Sequence, residues 1–337
     1  KHVSRFHANH SGYSMILNHL NGVILPSDKQ KIPYRIKKII SNNILEKNIY
    51  YDSESVEKEW QLLLRLLSIK DKKIIHNTNG ERDLKYILKF FGNSKRIKFF
   101  ATFHKPPLLL KKIIENNQNL KKSDGVIALG SKQKSFLTEK LKDSKVTLIH
   151  HGVDTEFFIP KDNIDHKNNP RSILFVGQHL RDFETLNYII HALKNKNLDM
   201  NIKVVINPAN LQFLKNKNFL KIYSNISDYE LKTLYQNATC LFLPLKDVTA
   251  CNAILESLAC GTPVISNNVG DNSDYLTQEC SNLINVKDRD NFVDTIEKFI
   301  KNGNNKKMRE AARKKALEFD WKIIAKKVNN FYKEVCF

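Results

Sequence analysis

Short β-branched or aromatic runs alternate with longer helical patterns from one end of the chain to the other, and this alternation constrains the fold more than any other feature. The runs cover residues 73–76, 97–103, 125–129, 146–149, 172–176, 202–206, 240–244 and 263–265. Strands covered on both faces read as near-continuous apolar stretches, whereas half-exposed antiparallel strands alternate in polarity. The pattern therefore predicts an α/β fold, with parallel sheets and helices on both sides of each. A chain of 337 residues is long for one core and suits two domains of roughly 150 residues each. Residues 161–170 are polar with almost nothing to bury, and a fresh apolar strand follows them, which predicts a linker there. The expected organisation is an N-terminal domain over 1–160, a second domain over 171–318 and an amphipathic tail helix over 319–337. Two doubly wound, Rossmann-like domains would face each other across a cleft, with ligands at the carboxyl ends of the strands.

Composition narrows the class. No run approaches the roughly 18 to 20 apolar residues of a membrane span, and the start at Lys1 lacks an apolar signal core. A cytoplasmic chain is expected, and, as the sequence starts without Met, a few further residues at the opening of the first strand are expected. Cys240, Cys251, Cys260, Cys280 and Cys336 show no zinc spacing, so buried free thiols are expected. Residues 1–169 hold 31 Lys+Arg against 17 Asp+Glu, net +14, which leaves net +6 of the total +20 for the remainder. Lys29, Lys31, Arg35, Lys37 and Lys38 interleave with Ile32, Pro33, Tyr34, Ile36, Ile39 and Ile40 without an acid. Such a stretch either lies on an anionic membrane, where each basic residue contributes about 1 kcal/mol, or is a solvated helix face. No helix-turn-helix, RNP or zinc-finger pattern accompanies the charge, so nucleic acid is not an expected partner.

The stretch 252–265 is the most informative. It reads as a helix from Asn252 with a carboxylate, Glu256, in its interior among Ile254, Leu255 and Leu258, stopped at Gly261 and followed by Pro263 and a buried strand. A carboxylate in that setting is costly unless it meets a hydroxyl-rich ligand or a partner. This stretch resembles the donor-site signature of glycosyltransferase family 4, L-E-A-x-A-x-G-x-P-V-I. The resemblance implies a GT-B fold and a ribose-binding role for Glu256. A second Glu usually stands eight positions earlier in that family, and here the position is Val248, beside Asp247. Backbone amides of Thr249, Ala250, Cys251 and Asn252, at the helix start, are expected to hold a phosphate of the donor.

Further segments carry the same resemblance. Residues 150–160 are similar to the family's N-G-V-D-x-x-x-F-x-P segment, where Gly152 suits a tight turn and Asp154 can bond its own backbone. Gly177 ends a buried strand, and Gln178 takes the position of the family's diphosphate-gripping Arg. Arg181 is the phosphate candidate instead, because its fork of donors matches two phosphate oxygens; pairing with Asp182 or Glu184 is the other reading. Gly12, in Ser11-Gly12-Tyr13-Ser14 before the helical run 15–20, matches a glycine loop close to the donor. His104 ends a strand in a segment resembling the family's A-T-F-H, whose His reaches the transferred sugar; a structural histidine is the alternative, and His76 is placed similarly. Asp288-Arg289-Asp290 has the D-x-D form of a metal site but precedes a helical pattern, whose start explains both acids without metal.

The resemblance implies a retaining hexosyl- or related transferase. It would take a UDP- or GDP-linked sugar, need no metal or other cofactor, and modify a lipid-linked or glycan acceptor in cell-envelope synthesis, working at the inner face of the membrane. Val248, Gln178 and a missing Lys-Gly pair also allow a catalytically weak nucleotide-sugar-binding subunit.

Overall fold

The computed structural model describes residues 9–25, 31–42, 51–67, 71–161, 171–196, 198–302 and 306–336. The expected linker therefore falls almost wholly outside the described residues, as do the start of the opening strand and Lys29. Contacts divide the chain into two units: one comprises 1–4, 16–151 and 324–337, the other 5–15 and 152–323.

In the first unit, helices α1 (Tyr34–Asn42) and α2 (Ser53–Leu67) precede strand β1 (Lys73–Asn77). There follow α3 (Lys85–Phe91), β2 (Ile97–Thr102), α4 (Pro107–Asn116), β3 (Gly125–Ala128), α5 (Ser131–Lys140) and β4 (Lys145–Leu148). The strands form a parallel sheet in the order β1-β2-β3-β4. Its core gathers Leu88, Phe99, Phe103, Leu110, Val126 and Leu137. The basic stretch of the sequence is split by α1. Tyr34, Ile36 and Ile39 are exposed, but Lys37 points inward and pairs with Glu57 of α2 at 3.2 Å. Lys37 is thus not part of a charged surface, since the Glu57 carboxylate takes its ammonium inward.

Beside this pair lies a second buried carboxylate. Glu59 on α2 accepts from the Tyr51 hydroxyl at 2.6 Å and from the backbone N–H groups of Tyr86 (3.0 Å) and Ile87 (3.3 Å). Those amides open α3, which has no side-chain cap of its own, so Glu59 closes that helix start from another helix.

The second unit holds β5 (Arg171–Val176), α6 (Phe183–Asn195), β6 (Met200–Val205), β7 (Leu220–Tyr223), α7 (Asp228–Asn237), β8 (Cys240–Leu243) and α8 (Asn252–Ala259). It continues through β9 (Val264–Asn267), α9 (Asn272–Tyr275), β10 (Ser281–Ile284), α10 (Arg289–Asn302) and α11 (Lys306–Leu317). The six strands are all parallel in the order β10-β9-β8-β5-β6-β7. The chain builds outward from β5 to one edge, returns, and builds outward from β8 to the other, so the winding reverses between β5 and β8. Helix α12 (Trp321–Cys336) closes the chain; its first residues group with the second unit and those from Ile324 onward with the first.

Local chemistry explains several boundaries. Helix α8 ends as expected: Gly261 takes φ +69°, its N–H bonds Leu258 O, and Thr262 N–H bonds Ser257 O, a Schellman ending. Residues 152–160 group with the second unit because Val153 N–H bonds Phe319 O and Arg313 donates to Thr155 O and Phe158 O. Asp154 accepts from Glu156 N and Phe157 N, the local turn expected of it. Gly152 serves a close approach: a Cβ there would lie 2.4 Å from the Trp321 ring. Four cysteines, Cys240, Cys251, Cys260 and Cys280, are buried free thiols of the second unit, and Cys336 is half-buried in α12.

Candidate functional site

Two loops leave the carboxyl ends of β5 and β8, where the sheet reverses, and they are laced together. Arg181 and Leu245 form an antiparallel bridge, Asp182 N–H bonds Pro244 O at 2.9 Å, and Lys246 N–H bonds Leu180 O at 2.9 Å. Gly177 turns the first loop at φ +89°, and a Cβ there would sit 3.0 Å from Arg181 Nη2. Arg181 donates to Val176 O and His179 O, both at 3.0 Å, and to Cys251 Sγ at 3.4 Å. It forms no ion pair with Asp182 or Glu184 among the described residues. Asp182 caps α6 instead, and Glu184 pairs with Arg289 at 2.8 Å. Three of the guanidinium's five N–H groups are used in this way, which leaves two for a ligand. Gln178 turns its side chain to its own unit, accepting from Asn207 N at 3.4 Å.

The second loop runs into α8. Val248 is buried and its carbonyl accepts from Asp271 N at 2.9 Å. Gly270, at φ +51°, permits that contact, since a Cβ there would meet Val248 O at 2.0 Å. Thr249 is buried and its hydroxyl has no partner among the described residues, and Cys251 at the N-cap offers no side-chain cap to the helix. An uncapped helix start carries partial positive charge and free N–H donors, a setting for an anion.

Glu256 stands one turn into α8 and is 4% exposed. Ser11 Oγ donates to Oε1 at 2.5 Å and Tyr235 Oη donates to Oε2 at 3.0 Å. Burial pushes its pKa up to about 7, the two hydroxyls act against that, and nearby Asp228 adds to it. Asn252, on the same helix, donates to Ser11 Oγ at 3.4 Å. Ser11 belongs to the second unit, in the segment before Gly12, which takes φ +91°. His10 pins this segment: its ring lies 3.7 Å above Phe157 and contacts Asp154 at 2.7 Å, and its N–H bonds Asp228 at 3.0 Å. The expected helical run after Gly12 is a 3-10 helix, Tyr13–Asn18. Gly12, Gly177, Gln178, Arg181, Thr249–Asn252 and Glu256 thus all belong to one unit. Sequence reasoning missed Ser11 and Tyr235 as partners of Glu256; only the cost of a buried carboxylate signalled that partners must exist.

His104 belongs to the first unit, just beyond β2. Its Nε2–H donates to Thr78 O at 2.8 Å, so Nδ1 is the acceptor nitrogen of the ring. Glu81 accepts the backbone N–H groups of His104 and Lys105, the latter at 2.6 Å. His76 has a structural part: its nitrogens meet the hydroxyls of Tyr332 and Thr102, and burial pulls its pKa well below the usual range. In the D-x-D segment, Asp288 accepts from Asn291 N at the start of α10 and Asp290 accepts from the Tyr188 hydroxyl.

Residues 157–316 match the family described as glycosyl transferases group 1. No curated protein matches the chain. Among solved structures, sucrose-phosphate synthase from Thermosynechococcus elongatus aligns at 15% identity and TM-score 0.69, covering 84% of this chain and 78% of that one. A glycosyltransferase from Rickettsia africae ESF-5 aligns at 20% identity and TM-score 0.66, covering 93% and 84%. The pneumococcal O-GlcNAc transferase GtfA, in complex with UDP and GlcNAc, aligns at 12% identity and TM-score 0.62, covering 82% and 59%.

Proposed function

For a glycosyltransferase of the GT-B fold whose residues 157–316 belong to group 1, we propose a retaining transfer of a sugar from a UDP- or GDP-linked donor to an acceptor hydroxyl. The observation that carries this reading is the sequence of loop, helix start and carboxylate at the point where the second sheet reverses. The uncapped start of α8, with Thr249 to Asn252, receives the diphosphate, and Arg181 adds two donors beside Cys251. These groups stabilise the charge that develops on the departing diphosphate, the largest single contribution such a site can make. Glu256 binds the ribose hydroxyls, and His104 keeps the sugar-positioning role that the family resemblance implies. Since fixed protein charges do this work, the reaction is expected to survive EDTA. UDP in the GtfA complex supports a nucleoside diphosphate as the common ligand.

Two observations favour a second reading, a nucleotide-sugar-binding subunit with little turnover: Val248 is buried where the first Glu would stand, and Gln178 is turned to its own unit. Incubation with radiolabelled UDP- and GDP-sugars separates them. Slow hydrolysis of one donor, abolished in Arg181→Lys, supports the enzyme; tight binding without any turnover supports the subunit.

The acceptor we propose belongs to cell-envelope glycan or glycolipid synthesis. Among the described residues no helix is long and apolar enough to cross a membrane. Exposed Tyr34, Ile36 and Ile39, with Lys38 and Arg35, give α1 a side suited to an anionic surface at the inner face of the membrane, and a cytoplasmic location goes with it.

A further inference from the structure

We propose that Asn252 and Glu256 form a receptor for one hydroxyl group, that the protein's own Ser11 occupies it, and that a ribose hydroxyl of the donor replaces Ser11 there. The proposal rests on the donor-site reading above. A hydroxyl both donates and accepts, so its receptor needs an acceptor and a donor within reach of one point. Helix α8 supplies the two from residues four apart, which lie on one face. Glu256 Oε1 is 2.5 Å from Ser11 Oγ and accepts from it, and Asn252 Nδ2 is 3.4 Å away and donates to it.

The two hydroxyls on Glu256 are held in different ways. Tyr235 is fully buried within α7, and its side chain cannot leave without opening the core. Ser11 is half-buried, in a segment that is neither helix nor strand, next to a glycine in the left-handed region. One fixed hydroxyl keeps the carboxylate oriented before any ligand arrives, and one removable hydroxyl keeps its other oxygen satisfied until then. An unpartnered buried carboxylate oxygen would be costly, which gives Ser11 a reason to be there. Exchange is like for like: the bonds from Oε1 and Asn252 pass from the serine to the ribose, so Ser11 lowers nucleotide affinity without altering the bound state.

The test is isothermal titration of the full chain with UDP, GDP and ADP, using wild type, Ser11→Ala, Ser11→Thr and Ser11→Cys, alongside thermal melting. Removing the competitor should tighten binding ~10-fold, the factor expected for one hydrogen bond to a charged group, while the free Ser11→Ala protein melts lower. Ser11→Thr should restore wild-type affinity. Ser11→Cys, a weaker donor of similar size, should fall between and serves if the alanine protein does not fold. The gain should vanish with the 2′-deoxy or the 3′-deoxy form of the nucleotide that binds. Binding seen only in Ser11→Ala would also support the proposal. Unchanged or weaker binding in Ser11→Ala, with wild type binding normally, would overturn it and leave the donor-site reading standing. Failure of every protein to bind any of the three nucleotides would overturn both.

Discussion

Glu59 in the first unit and Glu256 in the second are the same device built for different ends. Each is a buried glutamate inside a helix, each accepts from a tyrosine hydroxyl, and burial pushes each pKa up to about 7. They differ in what holds the other lone pairs. Glu59 takes backbone N–H groups at the start of α3, which cannot leave unless that helix unravels. Glu256 takes a serine side chain from an irregular segment. A carboxylate satisfied by main chain is structure, and one satisfied by a removable hydroxyl has capacity to spare for a ligand.

The largest expected effect contrasts the two directly. Glu59→Ala leaves two amides and the Tyr51 hydroxyl without their acceptor, and should cost roughly 3 to 5 kcal/mol in urea unfolding, as for breaking a buried charged network. Nucleotide affinity of the folded fraction should not change. Glu256→Gln should do the reverse, losing about 10- to 100-fold in nucleotide affinity with a small shift in urea midpoint. Loss of nucleotide binding in folded Glu59→Ala would break the comparison.

A pH effect comes next. A carboxyl whose folded pKa lies above its unfolded value stabilises the fold at low pH and loses that contribution as pH rises from about 4.5 through about 7. The stability of wild type relative to Glu59→Gln, or to Glu256→Gln, should therefore fall across this window, by on the order of 3 kcal/mol at most, and level off above it. Nucleotide should leave both windows in place, because a ribose hydroxyl replaces the Ser11 hydroxyl on Glu256 like for like. Affinity should accordingly show no step near pH 7 in wild type that is absent from Glu256→Gln, and such a step would show that the exchange is not like for like.

The smallest effect sharpens the comparison. Tyr51→Phe and Tyr235→Phe each remove one hydroxyl from one carboxylate and should each cost about 1 to 2 kcal/mol of stability. Only Tyr235→Phe should also weaken nucleotide binding.

How much of this was legible follows the same physics. All eight apolar runs are strands, most plainly β2, β3, β5, β8 and β9, which are buried along nearly their whole length as strands covered on both faces must be. The two strands that the runs do not show, β7 and β10, are the two edges of the second sheet, where Lys221 and Asn282 can face water. Helix α8 was legible to its last turn, since Gly261 and Pro263 punctuate it. What surrounds Glu256 was not: Ser11 lies 245 positions away and Tyr235 lies on another helix, and no local pattern encodes such meetings. Lys37 misled for a related reason, because periodicity assigns a residue to a face without naming the carboxylate that will meet it.

The thiols of the second unit give the chain a built-in chemical clock. Burial pushes the pKa of Cys240 and Cys260 far up, so neither presents a thiolate to an alkylating reagent while the unit is closed. Their modification should then track the open population of that unit, or its opening rate where alkylation outpaces closing, whereas Cys336, half-buried in the final helix, should be labelled first. Mass spectrometry of timed alkylation would count these events on the unlabelled natural chain. A bound nucleotide would register as a slowing at the buried cysteines of the second unit and not at Cys336, so occupancy could be followed without a sugar, an acceptor or turnover.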